Sequence, residues 1–221
     1  MTRRRLALVV AAVAAVAGLL TVGTWAVTRA SGRTPSMMSG SYGSGMMGGQ
    51  YGSGMMAGSY GLPGDGRRVD SLAAAGKRAQ AFGDRLGLRA GEIMQFSNGF
   101  YAEPLAGDGQ GATEVLIDPA GGAVGVEYGP AMMWNTSYGM HAGAAATAPA
   151  VSPADAARLA QRWLDDQRHG LTAGEPEQFP GYYTLHTLRN GKIDGMLSVN
   201  GFTGTVWYHT WHRSFIAMSE E

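Results

Sequence analysis

The chain contains no cysteine and carries no net charge, its 17 basic residues being matched by 17 acidic ones. The first absence removes disulfides as a source of stability and excludes thiolate metal sites. The second argues against a nucleic-acid partner, because backbone recognition needs a concentration of Lys and Arg. Catalytic signatures are equally scarce. There is no His-Glu-x-x-His helix and no Gly-x-Ser-x-Gly nucleophile turn. Asp165 and Asp166 are the most obvious carboxylate pair, but adjacent helical residues point about 100° apart and read as a solvated face. Gly43-Ser44-Gly45-Met46-Met47-Gly48 has dinucleotide-fingerprint spacing without the strand before it or the helix after it. Asn135-Thr136-Ser137 is a formal glycosylation sequon that carries no weight. The residues give no reason to expect an enzyme.

What is present begins at the N-terminus. Arg3-Arg4-Arg5 precedes an uncharged run of 22 residues, Leu6 to Val27. This is longer than the ~7–15 residues of a signal-peptide core and suits a membrane span. The arginines should stay in the cytoplasm, which puts everything after Val27 outside. The competing reading is a signal cleaved after Ala30. Residues 1–30 are thus expected to anchor the chain in a cell membrane as a single pass through residues 6–27, with extracytoplasmic domains beyond.

Residues 31–66 form a short-period repeat. Met37-Met38, Met46-Met47 and Met55-Met56 recur every nine residues, as do Tyr42, Tyr51 and Tyr60, each followed by Gly. Such a Gly- and Ser-rich segment buries too little apolar area to offset its ordering entropy and is expected to be a flexible tether. The methionines need a separate reason. Thioether sulfur is a soft neutral ligand suited to Cu(I), so the pairs are consistent with capture of a soft ion; a low-complexity linker that absorbs oxidants is the alternative.

Beyond the tether the sequence repeats itself. Gly87-Leu88-Arg89-Ala90-Gly91-Glu92, Gln95-Phe96 and Gly99-Phe100-Tyr101 return as Gly170-Leu171-Thr172-Ala173-Gly174-Glu175, Gln178-Phe179 and Gly181-Tyr182-Tyr183. The offset is 83 residues at the first block and 82 at the aromatic pair. Each copy opens with a helix. Ser152 is a predicted N-cap, Pro153 takes the first helical position, and Asp155 completes a capping-box-like start. Ala156, Leu159, Ala160, Trp163 and Leu164 share a face, and Gly170 ends the helix. Ser71, then Leu72, Ala75, Ala79, Phe82 and Leu86, and finally Gly87 repeat the pattern. Short aromatic and branched runs follow, at about 93–97, 99–105, 113–118 and 123–128, then 177–179, 182–188, 195–199 and 205–211, separated by turn residues. Short turns make the neighbours antiparallel. The expected fold class is α+β: two tandem units, 67–130 and 151–221, each one helix on a small antiparallel β-sheet, joined by a linker over 131–150 and placed behind an N-terminal transmembrane helix.

The closing hairpins, Val115-Leu116-Ile117-Asp118-Pro119-Ala120-Gly121-Gly122-Ala123-Val124 and Leu197-Ser198-Val199-Asn200-Gly201-Phe202-Thr203-Gly204-Thr205-Val206, together with the preceding helix and variable strands, resemble the PepSY domain. The resemblance covers about Asp70 to Met218. It implies an extracytoplasmic, non-catalytic module of the kind found in protease propeptides and membrane-associated bacterial proteins. A peptidase or other envelope protein is the implied partner, although no peptidase follows in this chain.

The copies part company on their last strand. Aligning Gly122 with Gly204 sets Gly125, Glu127 and Gly129 against Trp207, His209 and Trp211 on the face away from the helix. The aromatic face needs cover, from the other copy's glycine-bearing face or from a ligand. In the linker, Met132-Met133-Trp134 and Tyr138-Gly139-Met140-His141 echo the tether. Met132, Met133, Met140, His141, His209 and His212 are therefore candidate ligands for Cu(I) or Ag(I), with Trp207, His209 and Trp211 forming a ligand-binding or inter-unit face. His209 and His212 point to opposite sides of an uninterrupted strand, so joint ligation requires the chain to bend after Thr210 or Trp211. Three readings follow: a membrane-tethered binding or regulatory module, an extracytoplasmic copper-binding protein, and a structural envelope protein.

Overall fold

The computed structural model describes residues 61–143 and 148–219. The apolar run at 6–27 and the methionine pairs of the tether lie outside the described residues. Among the described residues no helix is long and apolar enough to cross a membrane.

The fold is α+β with two antiparallel sheets. Strand β1 (Gly61–Leu62) is followed by helix α1 (Leu72–Asp84), β2 (Arg89–Phe96), β3 (Gly99–Leu105), β4 (Val115–Ile117), β5 (Val124–Val126) and the short α2 (Pro130–Met133). Then come α3 (Pro153–Gln167), β6 (Thr172–Phe179), β7 (Tyr182–Arg189), β8 (Lys192–Asn200), β9 (Val206–Tyr208) and β10 (Phe215–Met218). One sheet has the order β1-β5-β4-β3-β2-β10, the other β6-β7-β8-β9.

Each sheet carries its helix on one face. Ser71 Oγ accepts from the Ala74 amide and Ser152 Oγ from the Asp155 amide, satisfying helical donors that have no intrahelical partner. Ala75, Ala79 and Phe82 of α1 then pack on Ile93, Phe100, Ala102, Val115, Ile117 and Val124. Ala156, Ala160 and Leu164 of α3 pack on Tyr183, Leu185, Leu197 and Val199. Small residues at the helix centre let the helix approach the sheet closely. Full burial of one large anchor such as Phe82 contributes about 1.5–3 kcal/mol.

A glutamine on each helix locks the following Gly-Leu-x-Ala-Gly-Glu block. Gln80 accepts from the Ala90 amide at 2.9 Å and donates to the Leu88 carbonyl and to Asp84. Gln161 does the same with Ala173 at 2.9 Å, the Leu171 carbonyl and Asp165. The pinned segment is where the strand register shifts, between Ala90 and Ile93 and again between Ala173 and Pro176. The repeated block therefore holds a register shift of the β-bulge kind, tied to its helix by the glutamine. The closing hairpins also match. The Gly122 amide donates to the Asp118 carbonyl and the Gly204 amide to the Asn200 carbonyl, both at 2.9 Å, with φ +71° at each glycine.

Four expectations are corrected. The strand expected over 205–211 stops at Tyr208, where the Thr210 amide turns back to the Tyr208 carbonyl. Gly61 and Leu62, assigned to the tether, pair with Gly125 and Val124 as an edge strand too short to show periodicity. Phe215–Met218, assigned to the second unit, crosses to the first sheet and pairs with β2. Asn98 directs that crossing, donating to the Trp211 carbonyl and accepting from the Arg213 amide. Finally, Phe96 faces Gly99 and Phe179 faces Tyr182 across their turns, so the second aromatic match is one residue out of register. Tyr183 corresponds to Phe100 and Thr184 to Tyr101.

The faces away from the helices meet. Met94, Phe96, Tyr101 and Leu116 from the larger sheet pack with Met196 from the smaller one, and Trp211 and Phe215 close the edge. The layers run helix, sheet, sheet, helix, and the polar residues of interest lie between the sheets.

Candidate functional site

Glu127 and His209 each follow directly on a closing strand. Val126 pairs with Val115 and Tyr208 with Leu197. The next amides continue both ladders, Glu127 N–H to the Glu114 carbonyl at 2.8 Å and His209 N–H to the Met196 carbonyl at 3.0 Å. With alternate side chains on opposite faces, Val126 and Tyr208 face their helices while Glu127 and His209 face the other sheet.

The turn after Thr210 brings His212 to the same place. His212 Nε2 lies 2.7 Å from Glu127 Oε1, and His209 Nδ1 lies 3.7 Å from Glu127 Oε2. Trp211 Nε1–H donates to Glu127 Oε1 at 2.8 Å. The rings hold one another: His209 stacks on Trp211 at 4.6 Å, and His212 stacks on Phe96 at 4.2 Å. Trp211 in turn lies against Gly129, where a methyl would come within 2.7 Å of its ring. Glu127 is fully buried, His209 is 1% exposed, and the His212 side chain 4%.

Hydrogen bonds extend inward from His209. Its Nε2 meets Ser198 Oγ at 2.9 Å, and Ser198 Oγ meets Thr184 Oγ1 at 2.8 Å. Thr184 hydrogen-bonds the carboxyl of Glu114, to which Tyr101 also donates at 2.9 Å. Ser198 Oγ thus stands between Thr184 Oγ1 and His209 Nε2; in the tautomer with the proton on Nε2, His209 donates to Ser198 and its Nδ1 is a bare lone pair.

Burial dominates the protonation of these groups. It pushes His209 down to about 4, against the attraction of Glu127. Burial and then the repulsion of Glu127 push Glu114 up to about 8. On Glu127 itself burial acts upward, but His209, His212 and the Trp211 N–H together outweigh it and hold the carboxyl below its usual range. Farther along the interface, His186 Nε2 approaches Glu92 Oε1 at 3.3 Å, and burial together with Glu177 drives Glu103 up to about 10.

The structure divides the residues singled out from sequence. His209, His212 and Trp211 converge on Glu127. Trp207 is instead 40% exposed and meets Trp134 edge-on at 5.6 Å. Met133 and Met140 are 42% and 55% exposed, His141 is exposed, and Met132 is half-buried in α2, where its carbonyl accepts from the Met140 amide. The Asn135 side chain is buried, donating to the Ala112 carbonyl and accepting from the Ser137 and Tyr138 amides. Sequence reasoning placed Glu127 on the right face without giving it a role, and passed over Glu103 and Glu114. All three stand inside apolar strand runs, and a carboxylate at such a position is the signal that was present.

Two cavities frame the site. A cleft lined by Phe96, Asn98, Tyr128, Trp211 and His212 reaches the cluster from outside and has room for about one water. A larger one, about 360 Å³, lies elsewhere and is bordered by Asp108, Gln110, Tyr138, Gln178, Phe179 and Phe202. Comparison of the chain with family models, with curated proteins and with solved structures gives no match in any of the three.

Proposed function

We propose that this chain is a non-catalytic binding or regulatory module of PepSY type, made of two tandem units and tethered to a cell membrane with its domains extracytoplasmic. The observation that carries this reading is that chemistry and space lie apart. The titratable cluster around Glu127 is closed, with room beside it for about one water, whereas the cleft large enough for a ligand is bordered by one carboxylate, Asp108, and no histidine. General acid–base work needs positioned groups within reach of a bound substrate. The matched glutamine locks, bulges and Gly122/Gly204 turns support descent of both halves from one unit. The membrane tether rests on Arg3-Arg4-Arg5 and the apolar run at 6–27. An envelope peptidase is the partner this reading favours.

The test has two arms on the full chain in its native membrane. External protease added to spheroplasts should cleave the domains, and the purified chain should change the activity of an envelope peptidase that crosslinks to it. Domains reached only after lysis would overturn the placement. Peptide or ester hydrolysis by the chain alone, lost in Glu127→Gln, would overturn the non-catalytic reading.

A further inference from the structure

Buried lone pairs that face one another are reconciled by a proton or a metal ion between them. At the centre of the interface Glu127 Oε2 and His209 Nδ1 are buried without a hydrogen-bond partner, although nearly every buried polar atom in a folded protein has one, and His212 Nε2 has only the Glu127 carboxylate, at 2.7 Å. The ligand atoms of the three residues lie within 4.8 Å of one another. His209 Nδ1 stands 3.7 Å from Glu127 Oε2, close to the ~3.3–3.6 Å between neighbouring ligands on a tetrahedral ion with bonds of about 2.0–2.2 Å, and His212 Nε2 stands 2.7 Å from Oε1 and would move outward to share the ion.

The surroundings are those of a metal ligand shell. A ligating imidazole usually donates its other nitrogen to an oxygen; Ser198 Oγ lies 2.9 Å from His209 Nε2 to accept such a bond, and the Nε2–H tautomer points a bare Nδ1 at Glu127. Trp211 Nε1–H orients the carboxylate by binding Oε1, leaving Oε2 open. Stacking on Phe96 fixes the plane of His212. The cleft beside Trp211 and His212 supplies a way in from solvent.

We propose that Glu127, His209 and His212 form a site for one divalent transition-metal ion of the Zn²⁺ class. Two imidazoles and a carboxylate are borderline to hard donors and suit a divalent ion of this kind, whereas Cu(I) and Ag(I) favour thioethers. Of the linker methionines, Met133 and Met140 are exposed and Met132 is half-buried, and none belongs to the Glu127, His209 and His212 cluster. The ion enters with its charge halved by Glu127, and any proton on His212 Nε2 leaves to solvent as the bond forms. The site is independent of the regulatory reading above, which requires no metal.

Titration of the metal-free full chain in detergent with Co²⁺, which reports its coordination through visible absorption, tests the site. One equivalent should bind with the intense bands of a four-coordinate nitrogen and oxygen set, and Zn²⁺ should abolish them. Glu127→Gln, His209→Gln and His212→Gln should each lower affinity at least tenfold, while His141→Gln and a Met132/Met133/Met140→Leu variant should leave it unchanged. Binding that survives all three cluster substitutions, or is lost in His141→Gln, overturns the assignment. The wild-type chain provides a control that needs no variant: Zn²⁺ should raise its melting temperature, and failure to bind either ion at stoichiometric concentration overturns the proposal.

Discussion

Glu127 and His209 occupy the same register position in their respective sheets and meet across the interface at 3.7 Å. What the repeat duplicates, the interface makes complementary. An acid stands at this position in one sheet and a base in the other, and His212 approaches the same carboxylate more closely still, at 2.7 Å. Two strands over, Glu103 of the larger sheet likewise corresponds to His186 of the smaller, although these two meet Glu177 and Glu92 rather than each other.

The glutamine locks should be equal and independent. Gln80→Ala and Gln161→Ala each strand a strand amide, and each should cost about 1–3 kcal/mol. The two lie on different helices and share no partner, so the double variant should show the sum. Urea denaturation of the three variants measures this.

Gly129 should tolerate no side chain. At φ +88°, with the Trp211 ring within 2.7 Å of a methyl, Gly129→Ala combines backbone strain with overpacking. A loss of about 1–3 kcal/mol is expected, with red-shifted tryptophan fluorescence as Trp211 moves toward solvent.

Stability should fall as pH rises, through Glu103. Burial and Glu177 raise this carboxyl from 4.5 to about 10, so the folded protein keeps a proton that the unfolded chain releases. The contribution is full below pH 4.5 and is lost progressively as pH climbs through the folded value, at up to about 1.4 kcal/mol per pH unit. Glu103→Gln should flatten the dependence between pH 5 and 9, as seen in denaturation midpoints.

Asn98 should hold the crossing segment. Its side chain binds the Trp211 carbonyl and the Arg213 amide, just before β10 joins β2. Asn98→Ala should cost about 1 kcal/mol and speed hydrogen exchange in β10 while β7 and β8 keep their protection.

Much of the scaffold was legible because it is local. Ser71 and Ser152 announce the helices, aromatic and branched runs bounded by turn residues announce the central strands over 99–105 and 182–188, and the Asp118 and Asn200 turns announce the hairpins. The crossing of Phe215–Met218 into the other sheet was not legible, since four residues of strand carry no mark of their partner. The centre was half visible. His209 and His212 stood out by residue type, but their meeting depends on a turn at Thr210 where alternation predicts more strand. Glu127 drew no role because the face it shares with Gly125 and Gly129 reads as plain packing. The shared Gly-Leu-x-Ala-Gly-Glu block was the clearest repeat and proved to be structural, a bulge pinned by a glutamine that itself lies outside the block.

The arrangement at the centre stands or falls on which nitrogen of His209 carries its proton. Long-range ¹H–¹⁵N spectra of the metal-free full chain at pH 7 should show His209 neutral, protonated at Nε2 and bare at Nδ1, with Nδ1 shifting strongly when one equivalent of Zn²⁺ is added. A His209 protonated at Nδ1, or a spectrum unmoved by Zn²⁺, would contradict the account.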